Sequence, residues 1–286
     1  MNVLPRFRYH RAETVEEALG LLEEYSPDAR VLAGGTDLLI TMKEGACAPR
    51  HVIDLKAISE LRRLEVTPDG GVSIGACVTV NEILEFGELP AGMAALRDAA
   101  SVLATYQLRN RATVGGNVSN ASPACDMGPP LLVLGAEVNA VSPSGERTVP
   151  IGEFFTSVKE TCLAPNEVMR SIALPPPGDT VSAFVKRQRI KGHDLATVNV
   201  AAAVGGGRGL RLGLGAVAVR PVLLEGLGEV GGGGIGALRD AAVKAALEAA
   251  APIDDVRASA AYRRHMIELL VGKALDLLEA RMGMGN

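Results

Sequence analysis

Apolar residues recur at positions 15, 18, 19 and 22 behind Thr14, with Glu17 three residues past the threonine. That spacing lays one apolar stripe along a capped helix over 14–25, TVEEALGLLEEY. ARVL (29–32) then reads as a short strand running into Gly34-Gly35, and residues 38–42 open a second element. HVIDL (51–55) has the β-branched content of a strand. LEVT and VSIGACVTV flank Pro68-Asp69-Gly70-Gly71 and predict a hairpin over 64–80. Residues 82–86 and the Ala- and Leu-rich 91–103 predict helices. LLVLGAEVNAVS (131–142) reads as strand again, with a turn at 142–145.

The three prolines of LPPPGDT (174–180) force extended backbone and mark a domain boundary. Beyond them AFVKRQR, ATVNVAAAV and LRLGLGAVAVR predict a meander of three antiparallel strands, the latter two joined through the turn at 205–209. Residues 225–236 form a flexible glycine-rich loop. Helices follow over 237–250 and 256–281, the second preceded by Asp254-Asp255, where acidic side chains cap it. The strands come in clusters and not in βαβ alternation, which predicts an α+β chain of at least two domains.

Composition narrows the function classes. The core must be aliphatic, with five Phe, four Tyr and no Trp in 286 residues. A net charge of −4 without a basic stripe argues against nucleic acid. No run approaches the ~18 apolar residues of a spanning helix. Charges in MNVLPRFRYHRAETVEEA occupy the place of a signal peptide's apolar core, so the expectation is a cytoplasmic chain without a membrane span. Cys47, Cys77, Cys125 and Cys162 are scattered, and the four histidines lack ligand spacing, so neither disulfides nor a metal site is expected.

Two glycine loops carry the candidate chemistry. Ala33-Gly34-Gly35-Thr36-Asp37 leaves a strand, and Thr113-Val114-Gly115-Gly116-Asn117 repeats the design of hydroxyl, paired glycines and polar side chains. Glycine pairs let backbone N–H groups converge on phosphate oxygens. Ser119, Asn120, Ser122 and Asp126 follow the second loop. Asp126 has no cation near it in sequence, which suggests a ligand hydroxyl as its partner. The bland reading of either loop is an ordinary turn. Gly231–Gly236 fits G-x-G-x-x-G, but no strand feeds it and it reads as a linker. Acid–base constellations are lacking, so any chemistry is expected to come from a cofactor.

PRFRYHRAETVEEALGLLEE, VLAGGTDLL, QLRNRATVGGNVSNASPACDMGPPLLVLGAEV, VSAFVKRQRIKGHDLATVNVAAAV and DVRASAAYRRHMIELLV together resemble the flavin-binding medium subunits of molybdenum hydroxylases. That group includes carbon monoxide dehydrogenase medium subunits and the FAD domain of xanthine dehydrogenase. The resemblance implies an FAD-binding domain of vanillyl-alcohol-oxidase/PCMH type over 1–176, with subdomains of about 1–57 and 58–176. A C-terminal domain over 177–286 follows, with a three-stranded antiparallel sheet and helices. It implies that Leu32, Ala33, Gly34, Gly35, Thr36, Asp37 and Leu38 wrap the FAD diphosphate, with Thr113, Gly115, Gly116 and Asn117 completing the cradle. Asp126 would hold the ribityl hydroxyls, Ala104 would lie beside the cofactor, Val168 or Met169 would stand near the isoalloxazine ring, and Lys186 would approach its polar edge. Arg109 and Arg111 are read as structural.

The resemblance also implies partners. A small chain would carry two [2Fe-2S] clusters and a large chain the molybdopterin, in a dimer of heterotrimers; none of those ligand sets lies in this chain. The cysteine-rich insertion of hydroxybenzoyl-CoA reductases is missing, so no further cluster is expected here. The implied function is electron transfer from the clusters through FAD to an external acceptor. The rival readings are a self-contained flavoenzyme of the same fold and an assembly protein that binds no flavin.

Overall fold

The structure, a computed structural model, describes residues 3–190, 192, 194–231 and 234–283. The chain begins with β1 (Arg8–Arg11), α1 (Val15–Tyr25), β2 (Ala29–Leu32), α2 (Leu38–Lys43) and β3 (His51–Asp54). These strands make a parallel sheet in the order β1-β3-β2. Residues 8–54 therefore do alternate strand and helix, contrary to the clustering expected from sequence. The omission was β1, whose RYHR carries no apolar signal because only its backbone joins the sheet. α1 buries Val15, Ala18, Leu19 and Leu22, the face that the spacing predicts, and Thr14 Oγ1 accepts the Glu17 N–H.

A hairpin of β4 (Leu64–Val66) and β5 (Val72–Gly75) comes next, followed by α3 (Val80–Glu85), α4 (Ala94–Val102), α5 (Tyr106–Arg109), α6 (Val114–Ser119) and α7 (Gly128–Leu134). β5 ends at Gly75, short of the expected VSIGACVTV, because Thr79 caps α3 in a reciprocal box with Glu82. LLVL is the end of α7 and not a strand. Pro129 and Pro130 fit a helix's first turn, where no N–H is needed, and left-handed Gly135 closes it. After β6 (Glu137–Ser142), β7 (Gly145–Pro150), α8 (Ile151–Phe154) and the short hairpin β8 (Phe155–Ser157) and β9 (Glu160–Thr161), β10 (Val168–Leu174) enters the middle of an antiparallel sheet ordered β4-β5-β10-β6-β7.

The remaining residues build β11 (Val181–Arg187), β12 (Val198–Val204), β13 (Arg211–Gly215), β14 (Val222–Leu224), α9 (Arg239–Ala249) and α10 (Ala260–Gly283). The sheet is four-stranded, not three-stranded: β14 pairs Leu212, Gly213 and Leu214 after a break at Ala216, which is left-handed at φ 62. All seven residues of β12 are buried. Ala201 and Ala203 face the core that contains α4 and α7, while Val198, Val200, Ala202 and Val204 face α9 and α10. Two-sided burial explains why VNVAAAV shows no alternation. Asp254 accepts the N–H of Ala260, the first residue of α10, as expected of a cap; Asp255 instead accepts from Arg257 and Ala258 ahead of the helix, and Ser259 Oγ accepts the Tyr262 N–H. The GGGGIG match includes Gly232 and Gly233, which lie outside the described residues.

Candidate cofactor-binding site

The two glycine loops meet. A side chain on Gly34 would run into the carbonyl of Arg111, just ahead of Thr113, so only a bare Cα lets the loops close on each other. Gly35 has φ +75, a conformation glycine adopts freely, and Gly116 lies beside Ala33. Gly115 is tight for another reason: a side chain there would run into Ala76. Thr113 caps α6 by accepting the Gly116 N–H at 2.9 Å, and Asn117 Oδ1 accepts from Met127 N–H at 3.3 Å. The second stretch is thus a short helix, α6, with a folded-back loop, and not an ordinary turn.

Five backbone donors are left over. Among the described residues, no protein acceptor takes the N–H groups of Ala33, Gly34, Gly35, Thr36 or Asp37, and the Thr36 hydroxyl also has none. These groups are at most half-buried, with Asp37 exposed, while Leu32 and Leu38 flank them. Consecutive N–H groups without protein acceptors suit an anionic, oxygen-rich ligand, so the loop fits a diphosphate. Lys56, not singled out from sequence, braces this loop. Its ammonium donates to both Asp54 oxygens at 2.7 Å and to the Ala33 carbonyl at 3.1 Å, and Tyr9 Oη donates to Asp54 at 2.7 Å. Burial raises the Asp54 pKa, but the hydrogen bonds from Lys56 and Tyr9 prevail and hold it below the usual carboxylate range.

Asp126 corrects the sequence reading. It does have a cation: Lys186 Nζ donates to Oδ2 at 2.6 Å, and Asn199 Nδ2 donates to Oδ1 at 2.9 Å. The cation comes from β11, so its proximity could not be read along the chain. Burial pushes the Asp126 carboxyl up, against the pull of Lys186 and Asn199. Lys186 and Asn199 are paired across β11 and β12, and Asn199 faces Gly215 on β13. A side chain at Gly215 would strike Asn199 Oδ1, which itself has no hydrogen-bond partner. Asn199 was missed because its strand reads as plain core.

Ala104 lies in the same wall. It is left-handed at φ 47, and that strain costs on the order of 1 kcal/mol or more. Arg109 holds the turn by donating to the carbonyls of Leu103 and Ala104 and to Asn81, which is the structural role expected of it. Lys186 also reaches the Val102 carbonyl at 3.4 Å. Val168 and Met169 are buried in β10, 3% and 4% exposed, in separate apolar cores that also receive Ala33 and Ala104 respectively. Burial lifts the thiols of Cys77 and Cys125 to about 12, which makes them unreactive. Among the described residues no His/Cys/Asp/Glu cluster could hold a metal, and no helix is long and apolar enough to cross a membrane.

The family model described as the FAD-binding domain in molybdopterin dehydrogenase matches residues 5–177, and that of the CO dehydrogenase flavoprotein C-terminal domain matches 182–278. The chain belongs to this family of FAD-binding oxidoreductase subunits, which includes carbon monoxide dehydrogenase medium chains and xanthine dehydrogenase FAD-binding subunits. It is 33% identical to the carbon monoxide dehydrogenase medium chain of Hydrogenophaga pseudoflava over 97% of this chain and 98% of that one. It is 32% identical to the xanthine dehydrogenase FAD-binding subunit of Escherichia coli O157:H7, over 96% and 97%. The solved H. pseudoflava carbon monoxide dehydrogenase, in a form that lacks the Mo-pyranopterin moiety, superposes with a TM-score of 0.88 at 33% identity, covering 98% of this chain and 99% of that one. FAD is accordingly this chain's cofactor.

Proposed function

We propose that the chain is the electron-transfer flavoprotein of a molybdenum hydroxylase. In this reading a large partner carries molybdopterin, a small partner carries two [2Fe-2S] clusters, and FAD on this chain passes their electrons to an external acceptor. The proposed assembly is a dimer of heterotrimers in the cytoplasm. The FAD unit is assigned to 1–176, in lobes of about 1–57 and 58–176, and the second domain to 177–286. FAD, when bound, supplies a centre that takes up and gives out electrons; the protein supplies its position and surroundings.

The free N–H groups of residues 33–37, closed against the second loop through Gly34 and Arg111, carry this reading. They would hold the diphosphate, with Thr36 donating its hydroxyl and Leu32 and Leu38 shaping the rim. Gly35 supplies the turn, and Gly116 and Asn117 form the facing wall that capping by Thr113 holds in shape. Gly115 completes that wall, its bare Cα leaving room for Ala76. Asp126 would accept from ribityl hydroxyls with the lone pairs that Lys186 and Asn199 leave. Lys186 would then lend its positive charge to the flavin's polar edge while remaining paired. Ala104 would border the ring, and Val168 and Met169 would back it from their two cores.

The deciding experiment captures the chain from its native host through a tag and measures FAD, iron and molybdenum per chain in one sample. Flavin, iron and molybdenum together with two further polypeptides are expected. Flavin alone, in a sample that oxidises a substrate unaided, would instead support a self-contained flavoenzyme.

A further inference from the structure

Lys159 occupies the turn between β8 and β9 at φ 62, a left-handed conformation that side-chain-bearing residues rarely adopt. Its N–H donates to the carbonyl of Ala121 at 2.9 Å, and Ala121 is left-handed too, at φ 45. Glycine would take either conformation at lower cost, so the lysine side chain needs its own account. It is aimed at the first glycine loop and at the C-terminal end of α6. Nζ donates to Asn120 Oδ1 at 2.8 Å and stands 4.0 Å from Asp37 Oδ1. Among the described residues, no other cation hydrogen-bonds or ion-pairs with both the 33–37 loop and the 113–126 stretch.

Asp37 is the complication at this mouth. Its carboxylate, 55% exposed, stands at the end of five free N–H groups and would repel an incoming diphosphate. Lys159 is the cation that offsets it. Neither present partner holds the ammonium firmly: one is a neutral amide, the other a surface contact at the limit of ion pairing. The side chain is half exposed on a flexible stem, so it can change partners. Granting FAD in this cleft, as proposed above, we infer that Lys159 is a phosphate-binding residue whose ammonium swings from Asn120 and Asp37 onto the diphosphate of the entering dinucleotide.

The test titrates the flavin-free full-length chain with FAD and with riboflavin, which lacks the phosphates, at several salt concentrations. Lys159→Met keeps the stem and the backbone demand but removes the charge; Lys159→Arg restores it. Lys159→Met is expected to weaken FAD binding about tenfold, the size of one charge-assisted hydrogen bond. Its salt dependence should be shallower, riboflavin binding unchanged, and Lys159→Arg close to wild type. FAD affinity within about twofold of wild type overturns the inference. So does a loss shared by riboflavin, or one with unaltered salt dependence, since either would leave Lys159 only bracing the loops. A wild-type chain that binds no FAD overturns the proposed function as well, which separates the two failures.

Discussion

Lys186 and Asp126, sixty residues apart in sequence, meet at 2.6 Å with side chains only 2% and 5% exposed. The pair ties the antiparallel sheet of the C-terminal half to the loop that follows α6. Removing one member of a buried ion pair strands the other. Lys186→Met should therefore cost about 3–5 kcal/mol. Asp126→Asn in the same chain should recover part of that loss, because no charge then remains unpaired. Denaturant unfolding of both single variants and the double variant gives the coupling; a value below about 0.5 kcal/mol would show the two side chains to be independent.

Gly34 and Gly20 make opposite predictions from the same substitution. Gly34→Ala drives a Cβ onto the Arg111 carbonyl and should open the two loops, with FAD content falling by about tenfold or more. Gly20 lies in α1 with open space around it, so Gly20→Ala should stabilise by about 0.5–1 kcal/mol and leave FAD unchanged. Flavin absorbance per chain and thermal unfolding of the two variants check both statements.

Acid should loosen the brace under the first loop. The folded-state pKa of Asp54 is depressed, so its contribution is present above its unfolded value of about 3.9 and lost as pH falls through the folded value. Stability measured from pH 6 downward should fall more steeply below about pH 4 in wild type than in Asp54→Asn. Parallel curves would remove Asp54 from the acid response.

Gly215→Ala should act at a distance. The added methyl displaces Asn199 Oδ1, and Asp126 loses the donor on its Oδ1. Leaving one buried acceptor unpaired costs about 1–3 kcal/mol. Asn199→Ala should reproduce the effect, and adding Gly215→Ala to it should cost little more, since the methyl then enters vacated space. Additive losses in the double variant would contradict the contact.

The local signals that proved legible were those carried by near neighbours. The stripe 15, 18, 19, 22, the Thr14 cap, the turn at 68–71 and the Asp254 cap of α10 each depend on contacts within a few residues. β1, α7 and β14 were misread or missed because partners far along the chain decide their state. RYHR becomes strand only beside β3, and LLVL becomes helix where α7 packs against β12 and β13.

By itself the sequence determined which stretches turn, which bury a face, and where the two glycine loops fall, because backbone freedom and side-chain periodicity are properties of short segments. Only the tertiary structure decided what those loops face. It set Gly34 on Arg111 and Gly115 on Ala76, brought Lys186 and Asn199 to Asp126, and left five N–H groups free. Close approach and charge pairing are relations between segments, and no single segment encodes them.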